Sequence, residues 1–364
     1  MSKVLDQSPV PPAELEALGN LSFQLGTDMT RTQGAGGNTS VKRGGLMWVK
    51  ASGTWLAHAL ERDIMVPVET GPLLEAIAAG DARAEKATDF VVDALNPSGL
   101  RPSIETSVHA LIRQPVVAHF HCVHTIARCV VRESEAGMAA LLAAAVPDLR
   151  WARIAYRRPG IPLAREIAKV AGEEPDILIL QNHGIVIAGQ TVGDVGERIE
   201  RVTSALAVSR RTTAEPDEAW LVAAADGSPF RLPGDPRIHD VAMDPVGLSV
   251  ALGGSLYPDH VIFLGRTIGV IDDSASMQDL LHGAGAASMP KLVVAPGKGV
   301  LVSQDLTAGG ETMARCLAEV VTRIPESAQI SYLGAAQEAE LANWEAEQYR
   351  QSLDRAPTTS AGTN

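Results

Sequence analysis

Aromatic side chains are scarce in this 364-residue chain, at 4%. That argues against the base-stacking surfaces that grip single-stranded nucleic acid. Excess positive charge is missing as well. The net charge is −12, which repels DNA and anionic membrane, so neither is an expected partner. Cysteine is nearly absent: Cys122, Cys129 and Cys316 form no pattern, and an odd count suits a reducing compartment. No long apolar run occurs, since the Ala-rich patch Met138 to Val146 is far too short to span a bilayer. The opening residues MSKVLDQSPVPPAELEAL hold no apolar core of a secretory signal. The expectation is a cytoplasmic globular protein, built as one large domain or two unequal ones.

What is present centres on Val116-Val117-Ala118-His119-Phe120-His121-Cys122-Val123-His124. An apolar run enters a His-x-His pair, and a strand repeats every two residues. His119 and His121 therefore share one face while Phe120 takes the other. Two imidazoles so placed can hold a divalent metal, most often zinc; taken alone, the pair also fits two packed histidines with satisfied ring nitrogens. His124 sits at an odd offset from His121 and would face away, so it is a candidate to brace the site or simply to pack.

Earlier in the chain, Pro11 and Pro12 precede Ala13–Arg31, where Leu15, Leu18, Leu21 and Leu25 recur at helical spacing. The Gly36-Gly37-Asn38 turn that follows lets backbone approach a ligand and offers N–H groups to an anion, although a plain loop reads the same way. Strands are expected at Ser40–Lys42, Leu46–Lys50 and Asp63–Val68, with the small, polar Ala51-Ser52-Gly53-Thr54 between the last two. Ser103 is a plausible N-cap for a helix through Arg113. On that helix Glu105 and His109 lie four apart and share a face.

Beyond the pair, Thr125–Glu133 and Ala136–Val146 read as helices and Ile177–Leu180 as a buried strand. His183 follows in Gln181-Asn182-His183-Gly184, before a second apolar run, Ile185–Ala188. Alone, such a histidine would pack. Beside the pair it is the natural third ligand, because catalytic zinc keeps three protein ligands and an open position. A helix over Val192–Ser209 closes this part.

Residues 1–213 are thus expected as a catalytic domain and 214–235, rich in Ala, Pro, Gly and Asp, as a linker. Residues 236–355 are expected as a smaller α/β domain and 356–364 as a disordered tail. The second domain would hold strands at Val261–Leu264, Thr267–Ile271, Lys291–Val294 and Val300–Val302, then helices at about Ala308–Arg323 and Gln337–Leu353. Asp259-His260, after a Tyr-Pro pair, is expected as a surface turn, with a contribution to a neighbouring active site as the alternative.

Taken in order, Gly37-Asn38, Ser52-Gly53, Ser103-Ile104-Glu105, His119-x-His121 and Asn182-His183-Gly184 resemble the class II aldolase/adducin family. The resemblance covers about Leu15 to Val208. The stretches Gly253–His260 and Trp344-Glu345-Ala346-Glu347 are similar to its long members, including the aldolase half of fused aldolase/short-chain dehydrogenase proteins. It implies a three-layer, mixed-sheet α/β domain followed by the smaller α/β domain, and a homo-oligomer, commonly a tetramer. It implies that His119, His121 and His183 bind Zn2+, or another divalent ion such as Mn2+, Co2+ or Mg2+. Glu105 matches the catalytic acid/base, while Gly37, Asn38, Ser52, Gly53 and Ser103 match substrate-binding elements. His109 and His124 are candidates to support the ligands from behind.

The function so implied is a zinc-dependent aldolase acting on a carbohydrate-like small molecule, a ketose, sugar phosphate or keto-acid aldol, through an enediolate that the metal stabilises. A carboxylate near the metal would shuttle the proton. Epimerase, dehydratase or decarboxylase outcomes begin the same way, although the related epimerase has Asp where Glu105 stands. A non-catalytic, adducin-like assembly module is the remaining alternative, and the intact ligand set weighs against it. One departure matters: the family commonly has a second Ser where this chain has Ile104, which donates nothing to a phosphate oxygen.

Overall fold

The computed structural model describes residues 10–283 and 289–355. Strands β1 (Asn38–Arg43), β2 (Leu46–Lys50), β3 (Met65–Glu69), β4 (Val116–Phe120), β5 (Trp151–Ile154), β6 (Ile177–Leu180) and β7 (Gly184–Gly189) form one sheet in the order β3-β2-β1-β4-β7-β6-β5. Every pairing is antiparallel except β5 with β6. The sheet is mixed, as expected.

Alternation along the central strands builds two cores. Val116, Ala118, Phe120, Ile177, Ile179, Ile185 and Ile187 pack with Leu18, Leu21 and Leu25 of helix Pro12–Thr27 and Val195, Ile199 and Val202 of helix Val192–Ala205. The opposite faces, Val117, Leu178, Leu180, Val186 and Ala188, pack with Val108 and with Leu163, Ala164 and Ile167 of helix Ile161–Ala168. Helices thus cover both faces, which makes three layers. Strands buried on both sides read as continuous apolar runs, and that is why β6 was visible in the sequence.

A second sheet, β8 (Phe230–Arg231), β9 (Gly269–Val270), β10 (Leu292–Ala295) and β11 (Gly299–Ser303), has the order β8-β11-β10-β9. Its main core joins Leu292, Val294, Val300 and Val302 to helix Ala308–Val321, and also takes in Val123, Ile126, Ala127 and Val130 from the helix that follows β4. The two sheets therefore share buried surface just behind the His-x-His strand.

Several expectations need correction. Residues 214–235 are no bare linker: they contain helix Glu218–Ala225 and β8, which pairs with β11. The run Val261–Leu264 is not a strand but part of a π-helix, His260–Leu264, with every residue buried; a short run of continuous apolar residues carries no period to separate strand from helix. The helix expected over Gln337–Leu353 is two, Ala335–Ala342 and Glu345–Arg355. Helix Thr70–Ala79, after β3, and strand β5 both went unrecognised. The expected tail 356–364 lies outside the described residues. Among those described, Cys122, Cys129 and Cys316 are buried free thiols, and no helix is long and apolar enough to cross a membrane.

Candidate metal centre and cleft

β4 lies in the middle of the large sheet, between β1 and β7, so its register fixes where His119 points, and His121 lies one residue past its end. Asn38 of β1 is paired with His119, and His119 with Val186 of β7. The turn between β6 and β7 carries His183 alongside. Asn182 adopts φ 52° there, a left-handed conformation that Asn tolerates better than most residues. Gly184 follows because a Cβ at that position would stand 2.5 Å from the carbonyl oxygen of Phe120. Strand register and a tight turn thus bring residues 119, 121 and 183 together.

The three rings form a nearly equilateral triangle, with centroids 5.0, 4.9 and 5.1 Å apart. All three are buried, and they can offer nitrogens that lie within 4.8 Å of one another, an arrangement able to hold a metal ion. His119 Nδ1 lies 3.0 Å from the Ile185 carbonyl, to which it must donate. His121 Nδ1 lies 3.1 Å from Asp259 Oδ2, which favours the proton there. Both Nε2 atoms are then left with lone pairs, and they face each other across 3.2 Å. Two lone pairs at that distance repel unless a cation is shared between them. The spacing also matches the edge of a tetrahedron with zinc–nitrogen bonds, about 3.3 Å. Burial pushes His183 down to about 3 and lowers His119 too, against the pull of Glu105, so these rings are neutral and able to ligate. His183 Nδ1 is buried with no partner among the described residues. The donor set fits a divalent ion.

Glu105 completes the cluster. Its Oε2 is 3.2 Å from His119 Nε2 and its Oε1 is 3.7 Å from His183 Nε2. Burial pushes this carboxyl up, but the His119 and His183 rings and the Asn38 amide more than offset that, leaving it at about 2. The helix after it is shorter than expected, Thr106–Leu111, and Glu105 rather than Ser103 occupies the N-cap position, with no capping bond from its side chain. Ser103 Oγ accepts instead from the Glu105 backbone N–H at 3.2 Å, a local turn that frees the carboxylate to face the histidines.

A chain of neutral groups holds Glu105 in place. Asn38 Nδ2 donates to Glu105 Oε2 at 2.9 Å and to Ser103 Oγ at 3.1 Å. Asn38 Oδ1 accepts from His109 Nε2, and Ser40 Oγ donates to His109 Nδ1 at 2.7 Å. Burial holds His109 down to about 3, which keeps this proton order intact. His109 therefore reaches Glu105 through Asn38. His124 is spent elsewhere: its Nδ1 accepts the Val208 N–H at 3.1 Å.

Gly37, Asn38, Ser52, Gly53, Ser103 and Ile104 all line one cleft with Glu105, His121 and His183. Four further residues there escaped sequence reasoning. Lys50 is fully buried at the end of β2 and donates to the Ala35 carbonyl at 2.9 Å; burial, with Arg350 nearby, holds it down to about 7. Asp259, expected on the surface, is 2% exposed and sits behind His121. Arg350 donates to its other oxygen, Oδ1, at 2.7 Å, and Glu347 pairs with Arg350. A carboxylate behind a ligating imidazole orients the ring and raises its basicity. The only sequence signal for these residues was the likeness of Gly253–His260 and Trp344–Glu347 to long family members.

Comparison with known proteins agrees with this architecture. Residues 22–209, just over half of the chain, match the family described as Class II Aldolase and Adducin N-terminal domain. Over 195 residues the chain is 29% identical to an uncharacterized oxidoreductase, YuxG, of Bacillus subtilis (strain 168). That match takes in 50% of this chain and 27% of the relative, so the chain spans about a quarter of that protein's length. Among solved structures, the N-terminal class II aldolase domain of a conserved protein from Thermoplasma acidophilum is 22% identical, with 55% of this chain and 94% of that one covered at a TM-score of 0.46. An L-fuculose 1-phosphate aldolase is 21% identical, with 62% and 92% covered at a TM-score of 0.39.

Proposed function

The chain belongs to the class II aldolase and adducin family, and from that premise we propose that it is a metal-dependent carbon–carbon lyase acting on hydroxylated carbonyl compounds. The observation that carries this reading is the convergence of three buried imidazoles with one buried carboxylate, whose Oε1 has no partner among the described residues. A binding module would have no reason to bear the cost of orphaning that oxygen.

His119, His121 and His183 would hold the ion, zinc by family resemblance. Bound there, it would supply Lewis acidity, drawing negative charge from a substrate carbonyl oxygen. Glu105 performs the proton transfer. Held near 2, it is ionised at neutral pH and therefore in its base form. In cleavage it takes the proton of the hydroxyl that becomes the aldehyde oxygen and delivers it to the carbon that receives the electron pair of the broken bond; bond formation runs the same transfers in reverse. Asn38 fixes the carboxylate by donating to Oε2, which leaves Oε1 for the moving proton. His109, donating to Asn38, stops the amide from turning over.

Aldehyde release from a panel of ketoses, ketose phosphates and keto-acid aldols, measured with and without chelator, tests the reading. Chelator-sensitive cleavage is expected. Glu105→Gln should lower turnover by about 10²- to 10⁴-fold, the range for a positioned acid/base, while metal content by elemental analysis stays stoichiometric. Full activity in Glu105→Gln would remove the acid/base role, and wild-type protein without any divalent metal would remove the lyase.

A further inference from the structure

Outside the matched residues, helix Glu345–Arg355 lies back across the cleft, and it is firmly held. Asp354 accepts from the Gly309 N–H at 3.2 Å and from the Thr307 hydroxyl. Leu353 seats against Gly53, and the Arg350 guanidinium lies 5.2 Å from the Phe263 ring centroid. Glu347 is consequently 1% exposed and Arg350 8%. Arg350 Nη2 donates to Asp259 Oδ1 at 2.7 Å, and Nη1 to Glu347 Oε1 at 3.2 Å.

Those bonds leave Glu347 Oε2 and Arg350 Nε buried without a hydrogen-bond partner among the described residues, and Ser52 Oγ, Glu105 Oε1, His183 Nδ1 and Asp259 Oδ2 in the same cleft are in the same position. An orphaned buried polar atom is destabilising, so six around one cleft are the imprint of a ligand. The set is rich in acceptors: three carboxylate oxygens and one hydroxyl, beside one imidazole nitrogen and a single guanidinium N–H. It suits a ligand that brings hydroxyl donors. At the helix, an acceptor (Glu347 Oε2) and a donor (Arg350 Nε) belong to one ion-paired couple, and a hydroxyl group can satisfy both, donating to the first and accepting from the second. A phosphate brings acceptors alone and sets a second anion beside Glu347. Lys50, the cleft's other cation, donates to the Ala35 carbonyl and is held down to about 7 by burial, which weakens its pull on an anion.

We propose that Glu347 and Arg350 form a subsite for an uncharged, hydroxyl-bearing end of the substrate and select against a phosphorylated one. The proposal rests on the lyase reading of the same cleft. It is supported by the state of Glu347 itself: burial pushes its carboxyl up to about 7 despite Arg350, so one negative charge is already costly there and a second would cost more.

Calorimetric titration of the full-length, zinc-loaded protein tests this. The probes are dihydroxyacetone and dihydroxyacetone phosphate, two small α-hydroxyketones that differ by one terminal phosphate. The neutral compound should bind at least about tenfold more tightly to the wild type, and Glu347→Gln should narrow that ratio by about tenfold, because the amide keeps polarity without the charge. Equal or tighter binding of the phosphate by the wild type overturns the proposal with no variant needed, and so does an unchanged ratio in Glu347→Gln. Failure of the lyase reading looks different: no zinc is retained, or neither probe binds, and then both readings fall. Zinc retained with the phosphate preferred leaves the lyase standing and removes the subsite alone.

Discussion

The two halves of the cleft are built by different means. On one side, His119 rides on β4 at the centre of a seven-stranded sheet and His121 follows directly after its end, so hydrogen-bonded register sets their direction. On the other, Asp259, Glu347 and Arg350 arrive from more than 130 positions further along the chain, at the start of the π-helix and on a second helix that only tertiary packing holds there. Register is local and stiff. Packing between the two sheets is long-range, and each contact contributes a little. The ligand side should therefore fail all at once when a ligand is removed, whereas the packed side should fail by degrees.

That contrast sets the largest expected effect against an intermediate one. His183→Ala leaves two ligands where a catalytic ion needs three, and stoichiometric metal should be lost outright, as read by elemental analysis after gel filtration. Asp259→Asn removes the carboxylate behind His121 but leaves the ligands in place. Affinity should fall by about 10- to 100-fold, the range for outer partners of ligating histidines, measured by competition with a chromogenic chelator. Equal losses in the two variants would erase the distinction between the halves.

The same contrast explains what could be read from the sequence. A two-residue period placed His119 and His121 on one face, and the buried runs 177–180 and 185–188 framed His183, because strand geometry is a local rule. Asp259 looked like a surface turn because its neighbours are Pro258 and His260, and nothing local encodes burial by Arg350 from a distant helix. Lys50 closed an expected strand, and nothing in its neighbours marked it as buried. Ser103 looked like a cap because its spacing fits one, while the structure uses its hydroxyl two residues ahead. The π-helix at 260–264 was lost for lack of any period in His260–Leu264. Long-range packing leaves no periodic trace.

Asn182 is where the halves are tied together. Its Nδ2 donates to the carbonyls of Leu256, at 2.9 Å, and Ser331, at 2.6 Å, clamping the His183 turn onto the second sheet's side. Asn182→Ala loses both bonds and puts a Cβ without a local hydrogen bond at φ 52°, so a stability loss of about 2–4 kcal/mol in denaturant titration is expected. Asn182→Gly removes the backbone penalty and should recover about 1 kcal/mol of that loss. If the glycine variant regains everything, the clamp contributes nothing and the halves are joined by apolar packing alone.

The smallest effect at any single pH is a slope, and it separates the halves by sign. In chelator-treated protein, burial holds His109, on the sheet side, down to about 3. The unfolded chain then binds the extra proton first, so this group's share of stability is complete above its ordinary value near 6.5 and is lost as pH falls toward 3. Glu347, on the packed side, is pushed up to about 7. Here the folded chain holds the proton longer, so its share is complete below its ordinary value near 4.5 and is lost as pH rises through 7. Between about pH 4.5 and about pH 6.5 these two contributions have opposite slopes. Glu347→Gln removes only the falling component, so its stability relative to wild type should climb steadily from about pH 4.5 to about pH 7. A difference curve that stays level across that window would mean that Glu347 is not held in a desolvated site, and the packed half would lose its most strained member.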